Sequence, residues 1–472
     1  MPADIAIQGA FKMTVEEWLA SDAIEKSKRS YAHFDRRTNI GKERDYILNP
    51  EMIKQHGFYP FIHYKQKQIK FNRKNGSKVK ERDICYAAHI DRCIYQYYSF
   101  CLNELYNQRV AQENLSQVAV AYRTGLGQCN IDFAKRAIDF IRGNSPCFVM
   151  IGDFTGFFDN LDHAYLKRQW CSLLGQPELP MDHYQVFKSI TRYSYWELSD
   201  LLELNQLKDT QAGRRKLNSK SRVLTPEEFK ENSNRKHIQK NPNPFGIPQG
   251  SPISGLLANV YMLEVDKKVH TLVSALKGLY MRYSDDFMVV IPDEGPAACQ
   301  ALQDIVNIFN GIQGLTLEPK KTQYFRFENR ELKNCGSLYG VPLEGQKQFI
   351  DFLGFTFDGK KVSVRAKTIG KYYRRMYKKA KTVRESGGYT ATGKRISCRN
   401  LYGLYSERGV RGCYVKRKDG RIVWHSGNFL SYIQRSEKEF GDDEQIKRDT
   451  RRHMQKIRKA LNKKDKGMRE NG

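Results

Sequence analysis

Apolar and polar positions fall into distinct blocks along the 472-residue chain, and the sharpest block is Leu279–Pro292, LYMRYSDDFMVVIP. Its flanks are aromatic and β-branched, the composition of strands. Side chains in a strand alternate faces. In one continuous buried strand, Asp285 and Asp286 would therefore each be an unpaired buried charge, which is too costly. The pattern predicts two short strands joined by a tight turn at Ser284-Asp285-Asp286, with both carboxylates at the tip. Cys147–Gly152 reads as a second short buried strand, with Asp153 at its exit and a helix from about Leu161. Residues 58–82 interleave aromatics with eight Lys and Arg and predict a hairpin turning at Asn75-Gly76. Helical apolar spacing runs through 83–110 (Ile84, Ala87, Ala88, Ile90, Ile94) and again through 131–142, and a further helix is expected near Val15–Lys28. Residues 209–243 are basic, Ser/Asn-rich and poor in apolar positions, so they read as a surface insertion. Strands then alternate with helices from Phe245 to about Phe357, an α+β core. Beyond Lys360 the chain reads as mainly helical, with breaks at Gly387-Gly388 and Gly409–Gly412 and a charged helix over 445–466.

Charge changes this picture. The formal net charge is +28, and from Lys360 to Gly472 there are 33 Lys and Arg against 11 Asp and Glu, so +22 lies in the last 113 residues. A basic region of that kind usually meets a polyanion, most often nucleic acid. Anionic lipid is the rival partner, but no long amphipathic apolar face accompanies the charge. None of the ten cysteines forms a C-x-x-C pair, which argues against a zinc ribbon, and several sit in apolar segments as reduced thiols do in a cytoplasmic protein. The first residues lack a signal-peptide pattern and no run approaches a membrane span, so no membrane is expected.

The chain has a second acidic run, Gly441-Asp442-Asp443-Glu444, but its polar surroundings (KEFGDDEQIKRD) make it a solvated turn or a helix start. Asp285 and Asp286 differ in sitting within an apolar segment. Like charges that close resist joint ionisation unless a cation neutralises them. A divalent metal is the natural candidate, and Mg2+ prefers carboxylate oxygens. From the dipeptide and its flanks alone, an ordinary solvated turn fits equally well.

Three more segments bear on the choice. They are Phe148–His163 (FVMIGDFTGFFDNLDH), Phe245–Asn259 (FGIPQGSPISGLLAN) and Leu315–Thr322 (LTLEPKKT), the last read as a strand exit ending in lysines and followed by Phe349–Phe355 (FIDFLGF). With YSDDF, in this order and spacing, they resemble the reverse transcriptases over about residues 58–360, nearest the bacterial branch of group II intron, retron and defence-associated enzymes. The resemblance implies a right-hand polymerase with an N-terminal extension (1–50), fingers (51–150), a palm (151–357) carrying a basic insertion at about 200–244, and a basic, mainly helical thumb or C-terminal region (358–472). It implies that Asp153, Asp285 and Asp286 hold two Mg2+ ions for nucleotidyl transfer, with Asp286 closer to a supporting charge. Phe158 would lie under the sugar and exclude ribonucleotides, although strict alternation from Asp153 places Phe157 on that face; Gly156 permits the bend that would bring Phe158 in. Arg82 would grip the triphosphate, with Lys70 or Lys78 as companion. Gln249 would touch the template-nucleotide pair, and Lys321 would neutralise the leaving pyrophosphate, its neighbour Lys320 being the alternative. Phe352-Leu353-Gly354 would support the primer strand. Asp159 and Asp162 read as caps of the following helix.

Departures narrow the choice. No Cys/His finger of a maturase nuclease, no V-T-G signature of a retron enzyme, and no ribonuclease H, protease or integrase segment is visible. Serine stands in YSDD where alanine is commonest. The expected function is RNA-directed DNA synthesis in antiphage defence by an enzyme of the type 2 defence class, copying a non-coding RNA into cDNA from dNTPs. A maturase-like RNA-binding protein or a retron-type enzyme is the alternative. Template identity, priming and oligomeric state are left open by the sequence.

Overall fold

A computed structural model describes residues 13–72, 76–234, 236–293, 295–341, 347–385, 387–390, 393, 395–410, 413–416, 422–425, 427–441 and 444–462. Helices and strands mix throughout, as α+β. The chain divides into two compact units, one of residues 1–126, 152–289 and 295–322, the other of residues 127–151, 290–294 and 323–472.

In the first unit a four-stranded sheet is built on Phe61–Lys65, which pairs antiparallel with Asp83–Tyr86 and parallel with Ser194–Glu197; Ile238–Lys240 closes the far edge. Residues 83–86 are thus strand, where the apolar spacing predicted helix. Tyr64 faces Ile84 and His63 faces Cys85 across the ladder, so tertiary pairing overrides the local period. The helix starts only at His89 and runs to Gln112. The Val15–Lys28 helix is two short ones, Val15–Ala20 and Ala23–Ser27. The hairpin within 58–82 forms from Gln68–Asn72 and Gly76–Lys80. Asn75 of its turn, and the side chains of Lys70 and Lys78, lie outside the described residues.

The stretch 209–243 is not a loose surface insertion. It forms helices Gln211–Ser219 and Pro226–Asn232, the second closed by a Thr225–Glu228 capping box. Leu217, Val223 and Leu224 are buried in one cluster with Phe34, Ile62 and Trp196. Three apolar side chains suffice to dock a polar segment.

In the second unit, Cys147–Ile151 pairs antiparallel with Gln323–Phe327, which pairs in turn with Glu331–Asn334. A three-stranded meander, Ile350–Phe352, Phe355–Phe357 and Val362–Val364, precedes helices Ala366–Glu385, Cys398–Tyr405, Phe429–Phe440 and His453–Leu461. The expected break near 409–412 leads into a two-stranded pair, Cys413–Lys416 with Ile422–His425. The last helix begins eight residues later than expected and buries His453 and Ile457. Glu444 departs from its solvated reading. Its side chain is 7% exposed, with Arg142 Nη2 on Oε1 at 2.7 Å and the Val362 amide donating to Oε2. Among the described residues, no helix is long and apolar enough to cross a membrane.

Candidate active site

The site lies within the first unit. Strand Cys147–Gly152 ends where the sequence placed it, buried throughout, and Asp153 follows, 4% exposed. Residues 153–155 are stitched to 316–318. Glu318 N donates to Asp153 O at 2.7 Å, Thr155 N to Thr316 O at 2.9 Å, and Phe154 bridges Leu317. This corrects the strand-exit reading of 315–322: the segment is a bridge and a turn that lead into strand Gln323–Glu328. The turn swings Lys321 onto Asp153, and the two form an ion pair through Oδ2. Among the described residues Lys320 makes no ion pair. Among the described residues nothing hydrogen-bonds the buried Oδ1 of Asp153.

The second wall is the hairpin of Leu279–Tyr283 and Asp286–Pro292. Ser284 turns it with φ +64°. Asp285 is half-buried and Asp286 exposed, as the apolar flanks required. The strand exit and the hairpin touch at Gly152, where a Cβ would stand 2.2 Å from Cζ of Phe287. That contact sets Asp153 beside the hairpin base.

Beneath the turn is an arginine that the sequence reading passed over. Arg282 is fully buried. Its Nε donates to Asp266 Oδ1 at 2.9 Å, Nη1 to Asn259 Oδ1 at 3.3 Å and to the Ser284 carbonyl at 3.0 Å. Tyr280 donates to the same Asp266 at 2.8 Å. Burial works against the charged guanidinium, but the Asp266 carboxylate more than offsets it and raises its pKa. Asp266 and Asn259 come from helix Ser254–Ala275, which the Pro-Gln-Gly-Ser-Pro turn opens. The signal was present: a cation in the middle of an apolar strand requires a buried anion.

Phe158 and Gln249 lie on two segments stitched together, whereas Arg82 and Phe352-Leu353-Gly354 lie elsewhere in the chain. Ile247 N donates to Phe158 O at 2.9 Å and Gly246 N to Leu161 O at 2.8 Å. Gly156 has φ +54° and starts a 3-10 turn over Phe157–Asp159. Phe157 is 3% exposed and packs on Phe154, whereas Phe158 is half-buried and presents its ring. The bend thus favours Phe158 over Phe157. Asp162 caps helix His163–Leu174, accepting from Tyr165 N. Asp159 does not cap it. Its Oδ1 accepts from Gln249 Nε2 at 3.0 Å, and burial raises its pKa. Gln249 is further fixed by Cys85 N, which donates to its carbonyl at 2.8 Å. Arg82 is exposed at the turn into Asp83–Tyr86, its backbone paired with Gln66. Phe352-Leu353-Gly354, in the second unit, forms a tight turn with φ +48° and +96° at its last two residues.

The chemistry available is cationic neutralisation and charge-assisted phosphate binding. As placed, no three His, Cys, Asp or Glu side chains among the described residues are close enough together to hold an ion. The unpartnered Asp153 oxygen nevertheless fits a metal, and Lys321 brings a cation to the other one.

The family described as "Reverse transcriptase (RNA-dependent DNA polymerase)" matches residues 73–357, more than half of the chain. The chain belongs to the reverse transcriptase family. With it comes the right-hand polymerase fold. This reverse transcriptase is similar in structure to apo telomerase from Candida tropicalis truncated from its C-terminal domain (12% identity, TM-score 0.39, covering 70% of this chain and 61% of that one). It is also similar to telomerase from Candida albicans in complex with a fragment of telomeric RNA (13%, TM-score 0.34, 90% and 58%). The chain spans about three fifths of the length of these solved structures. No curated protein matches it.

Proposed function

We propose that this protein is an RNA-directed DNA polymerase that extends a primer on an RNA template with dNTPs. The single observation that carries the reading is the buried Asp153 oxygen with no protein donor among the described residues, at a strand exit packed against the hairpin of Asp285 and Asp286. In this reading Asp153 and Asp285 hold the metal and Asp286 adds supporting charge. A divalent metal held there, two Mg2+ by the family resemblance, would supply Lewis-acid activation of the primer 3′-OH and charge neutralisation at the leaving pyrophosphate. Lys321 neutralises the pyrophosphate from its place beside Asp153. Arg82 takes the triphosphate with its planar guanidinium. Gln249, oriented by Asp159, meets the template-nucleotide pair, and Phe158 excludes the 2′-OH.

The fingers are assigned to 51–150, the palm to 151–357 and the thumb to 358–472. The +22 C-terminal charge supports a long RNA contact. Motif spacing nearest the bacterial enzymes supports a defence-associated polymerase copying a non-coding RNA. Five buried free thiols among the described residues suit a reducing cytoplasm. The same basic region would also serve a maturase-like RNA binder without synthesis. Incorporation of dNTPs on a primed RNA with Mg2+ separates the two. Asp285→Asn and Asp286→Asn should abolish it, and full activity in both overturns the site. Phe158→Ala should admit ribonucleotides. Sequencing the nucleic acid that co-purifies tests the template assignment.

A further inference from the structure

Tyr122 lies outside every motif quoted above, yet its geometry is among the most constrained in the first unit. Its φ is +58°, a left-handed conformation that a bulky residue adopts only when its surroundings impose it, and such residues cluster at functional sites. The surroundings here do impose it. Val120 N donates to Arg282 O at 2.9 Å, and Ala121 O accepts from Asn259 at 2.8 Å. On the other side, Arg123 donates to the Ser116 carbonyl at 2.6 Å and Thr124 accepts from Asn103 at 2.7 Å. The strained residue does not bury itself in return, for Tyr122 is 51% exposed.

Three contacts say what the strain holds in place. The ring lies on Gly255, where a Cβ would stand 2.7 Å from it, so only glycine admits it. It meets the Phe158 ring edge to face, with centroids 6.4 Å apart at 73°. Its hydroxyl accepts from Ser284 Oγ at 3.2 Å. Ser284 is the residue that turns the hairpin, and its carbonyl is already held by Arg282. An alanine, commonest at this place in the motif, could not make the hydroxyl contact.

We propose that Tyr122 is a positioning residue for sugar discrimination, its ring fixing Phe158 and its hydroxyl tying that gate to the Asp285-Asp286 hairpin through Ser284. This rests on the polymerase reading above. The class of substrate it helps select is the deoxynucleoside triphosphate over the ribonucleoside triphosphate. The ring and the hydroxyl have separable effects. Without the ring, Phe158 can swing away and the 2′-OH is tolerated. Without the hydroxyl, the gate stays but its link to the hairpin is lost.

The test is single-nucleotide incorporation of matched dNTP and rNTP on a primed RNA, with kcat and KM separated. Tyr122→Ala should raise the ribo-to-deoxy ratio of kcat/KM by about tenfold. Tyr122→Gly suits the positive φ, keeps the fold on thermal denaturation, and should reproduce that ratio. Tyr122→Phe should keep the wild-type ratio and lower kcat for dNTP by about threefold. Ser284→Ala should do the same, and the double variant should be no worse than either single one. An active wild type with an unchanged ratio in both Tyr122→Ala and Tyr122→Gly overturns the gate role. Multiplying effects of Tyr122→Phe and Ser284→Ala overturn the link. A wild type that incorporates nothing removes the polymerase reading itself, and this inference with it.

Discussion

Asp285-Asp286 and Gly441–Glu444 are both short acidic runs, and each has an arginine in attendance. At the hairpin the arginine serves the backbone. Arg282 is fully buried, takes its counter-charge from Asp266 on a helix, and holds the Ser284 carbonyl. The two aspartates are left at the surface of the turn. At 441–444 the arginine takes the acid itself: Glu444 gives one oxygen to Arg142 and the other to the Val362 amide. An acid whose oxygens are both taken by protein donors is holding structure. At the hairpin a separate ion pair beneath the turn braces the backbone, and the two aspartates stand above it, one half-buried and one exposed.

The largest effect that would break this contrast is on activity. Asp285→Asn should lower dNTP incorporation by at least about 1000-fold with the thermal midpoint unchanged. Glu444→Gln should do the reverse. A hairpin variant that unfolds, or a Glu444 variant that loses turnover per folded molecule, would erase the distinction. Next comes Arg282→Met, which strands Asp266 as an unpaired buried charge and should cost about 3–5 kcal/mol in urea denaturation. Adding Asp266→Leu should recover much of that stability but little activity, because the Ser284 carbonyl stays without its donor. Glu444→Gln should cost about 1–3 kcal/mol by the same measurement.

The smallest effect is in pH. Asp91 is a third acid, bonded to His56 at 2.8 Å and to the Tyr59 amide at 2.9 Å. Burial pushes its carboxyl from 3.8 up to about 6. Between those values the folded protein binds a proton that the unfolded chain has released. The contribution of Asp91 to stability therefore falls as pH rises through that window and is level above it. Asp91→Asn should remove this slope from midpoints recorded across pH 4 to 7.

The hairpin was legible because alternation in an apolar run leaves two adjacent aspartates no other cheap solution. Strand Cys147–Gly152 and the Asp162 cap were legible for similar local reasons. What was hidden depends on distant partners. Asp159 reads as a cap in sequence, yet Gln249, far along the chain, takes it as a hydrogen-bond acceptor. Ile84 has helical spacing and is claimed by a neighbouring strand. The lysines of 320–321 follow an extended-looking run, but the bridge between Phe154 and Leu317 turns them back onto Asp153. Glu444 has polar neighbours in sequence and a buried arginine contact in space. Tyr122 carries no motif, and its importance lies in a backbone angle that no composition reveals.

Gly152 has a role that reaches past its own position. The Phe287 ring already occupies the space where a methyl on Gly152 would stand, so the strand end and the hairpin approach closely only because position 152 carries no side chain. No residue is smaller than glycine, so substitution at position 152 can only push the two apart. The packing of this corner is pinned by an absent side chain rather than tuned by a present one.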